Sequence, residues 1–215
     1  MLVTKLSHCL LRHHLFNFNE LKMKFSKEYL TNFVQGRYSQ DVLAFASQLY
    51  DQLKAIKLDD KSAATGFLYR VDLTDDASKK SMIAEFGAEL VAGVELVSRI
   101  SRVTFSEAKK NIANNRKLFI ELSDDISIII IKLSERLIRL RLADQSGDPD
   151  LKRLAEEALY FYAPIAQMLG IRKIYQEMED ISFKTLYPDD SRYLEAIISN
   201  NMASYSQKIA GMKHE

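Results

Sequence analysis

A single cysteine, Cys9, stands in a chain of 215 residues, which excludes an internal disulfide framework and fits a reducing compartment. Three prolines and seven glycines are few for this length, so sheet architectures rich in tight turns are disfavoured and long helices favoured. No run of 18 or more apolar residues occurs, so nothing reads as a transmembrane helix, and a soluble, cytoplasmic chain is expected. Net charge is missing too. With 30 Lys and Arg against 29 Asp and Glu, the molecule creates no broad field for phosphates, and neither nucleic-acid nor membrane-surface binding is expected. What is present is 47% apolar residues, in a length sufficient for one large or two small domains with a substantial core.

The first 18 residues faintly resemble a targeting peptide, but Lys5, His8, Arg12, His13 and His14 interrupt the apolar stretch and no small-residue cleavage site follows. Residues 1–25 therefore read as a weakly structured arm, with Met23 as an alternative start, and His13-His14 as solvated polar residues. From Ser26 to about residue 210 the pattern is helical and predicts one all-α domain. Ser26 caps a short helix ended by Gly36. Ser39 caps a longer one with Val42, Leu43, Phe45, Ala46, Leu49, Leu53 and Ile56 at spacings of three and four. Asp59 and Asp60 precede a helix through Leu68 and Tyr69. A loop with Asp72, Thr74, Asp75 and Asp76 opens helices on either side of Gly87. Thr104 or Ser106 starts another, with Ile112, Leu118, Phe119 and Leu122 as core positions.

Four consecutive isoleucines, Ile128 to Ile131, could form a buried strand. Their flanks favour a helix over Asp124–Arg141: Asp124 and Asp125 suit its N-terminus, and Arg136, Arg139 and Arg141 its C-terminus. Ile126, Ile130, Leu133, Leu137 and Leu140 make its core stripe. A long helix from Asp150 to about Leu169 should kink at Pro164, followed by helices over Arg172–Leu186 and from Pro188 to about Ile209. The block Tyr160-Phe-Tyr-Ala-Pro164 reads as core packing. Glu177 and Asp180 share a face with no obvious catalytic partner, so they read with Glu179 as a solvated or structural ion-pair surface.

Several stretches in order carry a resemblance. Asn115-Arg-Lys-Leu-Phe is followed by Asp125-Ile-Ser-Ile-Ile-Ile-Ile-Lys-Leu-Ser-Glu-Arg-Leu137, then Tyr162-Ala-Pro-Ile-Ala166, Leu169-Gly-Ile171, Glu177-Met-Glu-Asp180 and Leu186-Tyr-Pro188. Upstream, Gly66-Phe-Leu68 and Phe86-Gly87 flank an expected His-Asp loop. From about Leu58 to Pro188 the chain resembles the N-terminal HD-type hydrolase domain of the RelA/SpoT family, the enzymes that make and degrade guanosine tetra- and pentaphosphate. The resemblance implies an HD-like helical array. It also implies a site in which two histidines and two aspartates hold one manganese ion and position a water against the 3′-diphosphate.

The chain departs from the family at that site. The His-Asp pair falls on Tyr69 and Arg70, the earlier histidine near Phe45, and the last metal aspartate on Glu135; the acidic pair a few residues on falls near Leu73-Thr74. Neither Tyr69 nor Arg70 suits manganese, and a guanidinium repels it. The four histidines, His8, His13, His14 and His214, lie outside the matched region. A degenerate site is therefore expected, with no metal, no cofactor and no catalytic residue. Arg70, Arg136 and Arg139 could form a phosphate-binding set, Arg139 standing where the family has a pocket asparagine. Arg136 and Arg141 match arginines of the same helix, but residues two apart, such as 139 and 141, cannot share a face. The plainer reading is internal pairing, Arg139 with Glu135 and Arg70 with a nearby Asp, with Tyr69 filling the cleft and nucleotide binding weak or absent.

Three functions follow as expectations. The first is an inactive regulatory or interaction domain whose partner is a separate synthetase domain or a second copy; the sequence stops where a synthetase domain would begin, so a remnant or fragment is also expected. The second is a residual guanosine-3′,5′-bis(diphosphate) 3′-pyrophosphohydrolase with an altered site. The third is a helical scaffold.

Overall fold

The structure is a computed structural model, which describes residues 23–101 and 125–199. The expected N-terminal arm up to residue 22, all four histidines, the helix from Thr104 or Ser106 and the end of the last helix near Ile209 lie outside the described residues. Within the described residues the chain is all-α, without a strand. In order come α1 (Lys27–Phe33), α2 (Gln40–Ala55), α3 (Asp60–Leu68), α4 (Asp76–Phe86), α5 (Ala88–Ser101), α6 (Ile126–Ser146), α7 (Leu151–Glu157), a π-helix (Ala158–Tyr162), α8 (Ala163–Met168) and α9 (Arg172–Leu186). A further helix, α10, covers 188–199. No described helix is long and apolar enough to cross a membrane.

Polar caps set the early boundaries. Ser26 Oγ accepts from the Tyr29 amide at 3.3 Å, Ser39 Oγ from Val42 at 3.4 Å, Asp59 from Ser62 at 2.9 Å and Asp75 from Ser78 at 2.9 Å, each satisfying an amide that has no partner inside its helix. Gly87, at φ +87°, separates α4 from α5 in a conformation that a side chain would strain.

Two compact units divide within α6, between Ile138 and Arg139. In the first, α2 lies against α3, α3 and α4 pack on α5, and α1 rests on α2 and α3 around Leu30, Leu49, Leu53, Phe67 and Met82. Gly66 makes the tightest approach: a Cβ there would stand 2.5 Å from Leu53 Cδ1 and 3.4 Å from Ile131 Cγ2, so only hydrogen lets α2 and α6 come this near to α3. In the second unit α7, the π-helix and α8 each pack on α9.

The isoleucine run is helical, and α6 is buried nearly all round: Ile128, Ile129, Ile131, Leu133, Leu137, Ile138 and Leu140 are core residues. Two members of the expected stripe are not. Ile126 is 58% exposed in the first turn and Ile130 is half-buried, because the covered faces are those of 128, 131 and 129, 133 rather than a single narrow seam. The helix also outruns its expected end. Leu142 to Ser146 continue it and Gly147, at φ +64°, terminates it, so the three arginines lie along its body and not in its last turn.

Ahead of Pro164, where a kink is expected, the helix contains a π-turn: the Ala163 amide bonds to Ala158 O, five residues back, just before the residue that has no N–H to give. Phe161 and Tyr162 are buried here as anticipated, in an edge-to-face pair at 4.9 Å. Tyr160 instead is 41% exposed, its hydroxyl 2.6 Å from that of Tyr187.

Candidate functional site

The C-terminal end of α3 carries the first two matched positions. Phe67 and Leu68 are buried, the chain turns with the Val71 amide bonded to Leu68 O at 2.9 Å, and two hydroxyls fix the turn from outside. Tyr38 Oη donates to Phe67 O at 3.1 Å, and Ser98 Oγ on α5 donates to Tyr69 O at 2.5 Å. Burial pushes the Tyr38 phenol well above its ordinary range, which keeps it a neutral donor; the backbone amides of Arg70 and Val71 oppose that shift. Tyr69 is buried as expected. Arg70 is exposed, and no Asp among the described residues pairs with it: its guanidinium lies over the ring of buried Phe45, 5.3 Å from the centroid. Positions 45 and 70, far apart in sequence, are thus in contact, but as a cation on an aromatic face and not as two metal donors.

Glu135 lies in the middle of α6, fully buried at 0% exposure. Its Oε2 is 2.7 Å from the ammonium of Lys132, itself 1% exposed, and the same ammonium donates to Ser101 Oγ on α5 at 3.1 Å. Arg136 Nε is 3.5 Å from the same carboxylate oxygen. A buried carboxylate without a counter-charge would be very costly, and here the neighbouring side chains of its own helix supply it. Glu135 therefore pairs with Lys132 and Arg136, one turn before and one residue after.

The remaining arginines are held differently. Arg139 is half-buried, and Arg141 forms a two-pronged ion pair with Glu177 of α9, with Nη2 to Oε2 at 2.6 Å and a second contact from Nε to Oε1. The structural ion-pair reading of Glu177 is thereby met. Arg70, Arg136 and Arg141 each engage a partner within the domain, on Phe45, Glu135 and Glu177.

Sequence reasoning overlooked Lys132, Ser101, Ser98 and Tyr38. The signal for Lys132 was present: a lysine directly after four isoleucines and before a leucine, three residues ahead of an acid, is buried at low cost only if the two meet.

A manganese ion does not fit this residue set. Of the four matched positions, Phe45 has no donor atom, Tyr69 offers a phenol, Arg70 a cation, and Glu135 a carboxylate already bonded to an ammonium. Among the described residues no group of three or more His, Cys, Asp or Glu is placed to hold a metal ion.

Residues 24–172 match the family model described as HD domain. Similar proteins include a "Probable guanosine-3′,5′-bis(diphosphate) 3′-pyrophosphohydrolase" of Synechocystis, 33% identical over 156 residues that make up 72% of this chain and 20% of the relative. A GTP pyrophosphokinase of Myxococcus xanthus is 36% identical over 67% of this chain and 20% of its own length. The bifunctional (p)ppGpp synthase/hydrolase SpoT of Escherichia coli is 31% identical over 73% and 23%. The chain thus spans about a fifth of the length of the curated relatives it matches.

Proposed function

Because the chain belongs to the HD domain family and is an HD-type domain of the RelA/SpoT kind, we propose that it is a catalytically inactive member acting as a regulatory or protein-interaction module in guanosine tetraphosphate metabolism, in the cytoplasm. One observation carries this reading: the single carboxylate left at the matched metal positions, Glu135, is buried against Lys132, while the other three positions bear an aromatic ring, a phenol and a guanidinium. Manganese would normally supply an activated water in such a site, and this residue set offers it no adequate coordination. The module's partner is then a separate synthetase domain or a second copy, with nucleotide bound weakly or not at all.

A residual hydrolase is the competing reading, favoured by the names of the relatives. Hydrolysis of guanosine tetraphosphate by the purified chain, with manganese supplied and bound metal measured after dialysis, decides between them. No turnover and no stoichiometric manganese are expected. Turnover abolished by Glu135→Ala would establish the hydrolase instead. Calorimetric titration with guanosine tetraphosphate at low salt addresses the pocket: micromolar binding lost in Arg139→Ala would show a surviving nucleotide site.

A further inference from the structure

We infer that α10 is a self-association surface, on which a second copy of this chain lays the same helix in the opposite direction. Such pairing deepens the reading of the chain as an interaction module, on which it rests, by naming the partner. Three features of the helix lead to it.

The first is an uncovered apolar face. Tyr193, Leu194, Ile197 and Ile198 are 38–69% exposed, and their offsets of one, four and five residues bring them to one side of α10. Between Pro188 and Ser199 only Ser191 is buried, its amide bonded to Tyr187 O at 2.9 Å, so the helix is tied at its root and every residue from Arg192 to Ser199 is exposed. A helix this short is marginal in water and gains its stability mainly by packing such a face. The second is continuation. In the sequence Leu194, Ile198, Met202, Tyr205, Ile209 and Met212 recur at spacings of four, four, three, four and three, the helical period. The four exposed side chains alone fall short of the ~800 Å² per partner of a standard interface, and a stripe of this length is enough to supply the rest.

The third is charge. Asp189 and Asp190 stand in the first turn of α10, whereas Lys208 and Lys213 come at the far end of the stripe in sequence. Parallel copies would set acid against acid; antiparallel copies set each acidic start against the other's basic end. Acid, apolar and base thus follow in an order that complements itself on reversal, as a two-fold interface requires. Asp190 and Lys208 are eighteen residues apart, about five α-helical turns, the spacing for one side of a helix. Asp189 pairs with Arg192 in its own turn, so Asp190 is the acid to probe.

Equilibrium sedimentation of the full chain over a range of concentrations tests the pairing. Wild type is expected to dimerise. Ile198→Asp, a change at an exposed position, should sediment as a monomer and keep its cooperative unfolding. Asp190→Lys and Lys208→Glu should each weaken the dimer several-fold at low salt. An equimolar mixture of those two should associate more tightly than either alone, because opposite charges then meet at both ends.

A wild type that stays monomeric at every concentration would overturn the inference, leaving the face to a lipid surface if the chain binds phosphatidylcholine–phosphatidylglycerol vesicles through Ile198, and to a different protein if it does not. A dimer untouched by Ile198→Asp, or a mixture no tighter than its components, would overturn it as well. These outcomes separate from those of the functional proposal. A dimer that hydrolyses guanosine tetraphosphate would defeat the inactive reading and leave the pairing in place, whereas an inactive monomer would do the reverse.

Discussion

Two ion pairs on α6 show how differently one helix can use the same chemistry. Lys132 and Glu135 are 1% and 0% exposed, whereas Arg141 and Glu177 keep 31% and 39% of their side-chain surface. The second pair has the better geometry, a guanidinium fork on a carboxylate, and yet the weaker hold on stability, because water and salt screen it. The first pair has little net worth against an apolar replacement of both partners, but is unforgiving of the loss of one. Burial, more than contact geometry, decides which pair the fold depends on.

The sharpest way to break the comparison is Lys132→Met. Stranding Glu135 should cost about 3–5 kcal/mol in chemical denaturation. A loss as small as that at Arg141 would mean the two sites are equivalent. Next comes the apolar wall of the same helix. Ile131→Ala should cost about 2–5 kcal/mol, because Ile131 is fully buried and reaches the Gly66 side of α3, and Ile130→Ala should cost clearly less. Equal losses would refute the burial assigned to the two neighbours. Glu177→Gln should cost below about 1 kcal/mol and should matter less as salt is raised, in contrast to the salt-indifferent pair at Lys132.

The smallest effect is an acid one. The Tyr29 hydroxyl, at 2.6 Å, and Lys24 hold the Glu85 carboxyl below its ordinary value of 4.5. A lowered folded value means stability present above the unfolded pKa and lost as pH falls through the folded one. Tyr29→Phe should therefore flatten the decline in stability below about pH 4.5 and leave neutral behaviour little changed, as pH-dependent unfolding would show.

The early helices were legible because their starts are local. Ser26, Ser39, Asp59 and Asp75 each bond an amide three residues on, an interaction that needs no knowledge of the rest of the chain. What α6 buries was less legible. Periodicity marks a stripe, but which flanks of an isoleucine-rich helix are covered depends on its neighbours, so Ile126 and Ile130 stand on the expected core stripe while the buried Lys132 does not. At the candidate site, the residue types at positions 45, 69, 70 and 135 were readable by resemblance. Their contacts were not: Arg70 on Phe45 spans 25 residues of sequence, and the meeting of Glu135 with Lys132 depends on both being buried by other helices.

The π-turn before Pro164 carries a consequence for the length of this chain. A π-turn holds one residue more than an α-turn in each hydrogen-bonded ring, so Ala158–Tyr162 behaves as an α-helix into which a single residue has been inserted and absorbed on the spot. Winding the same residues as an ordinary α-helix, with none removed, would turn everything beyond the bulge by about 100°. Ala166, now buried in α8, would then turn to the exposed direction where Gln167 stands, and Pro164 would take the buried direction of Ile165. The bulge is thus a local absorber of length, and through it the segment Ala158–Tyr162 sets which residues of α8 face inward.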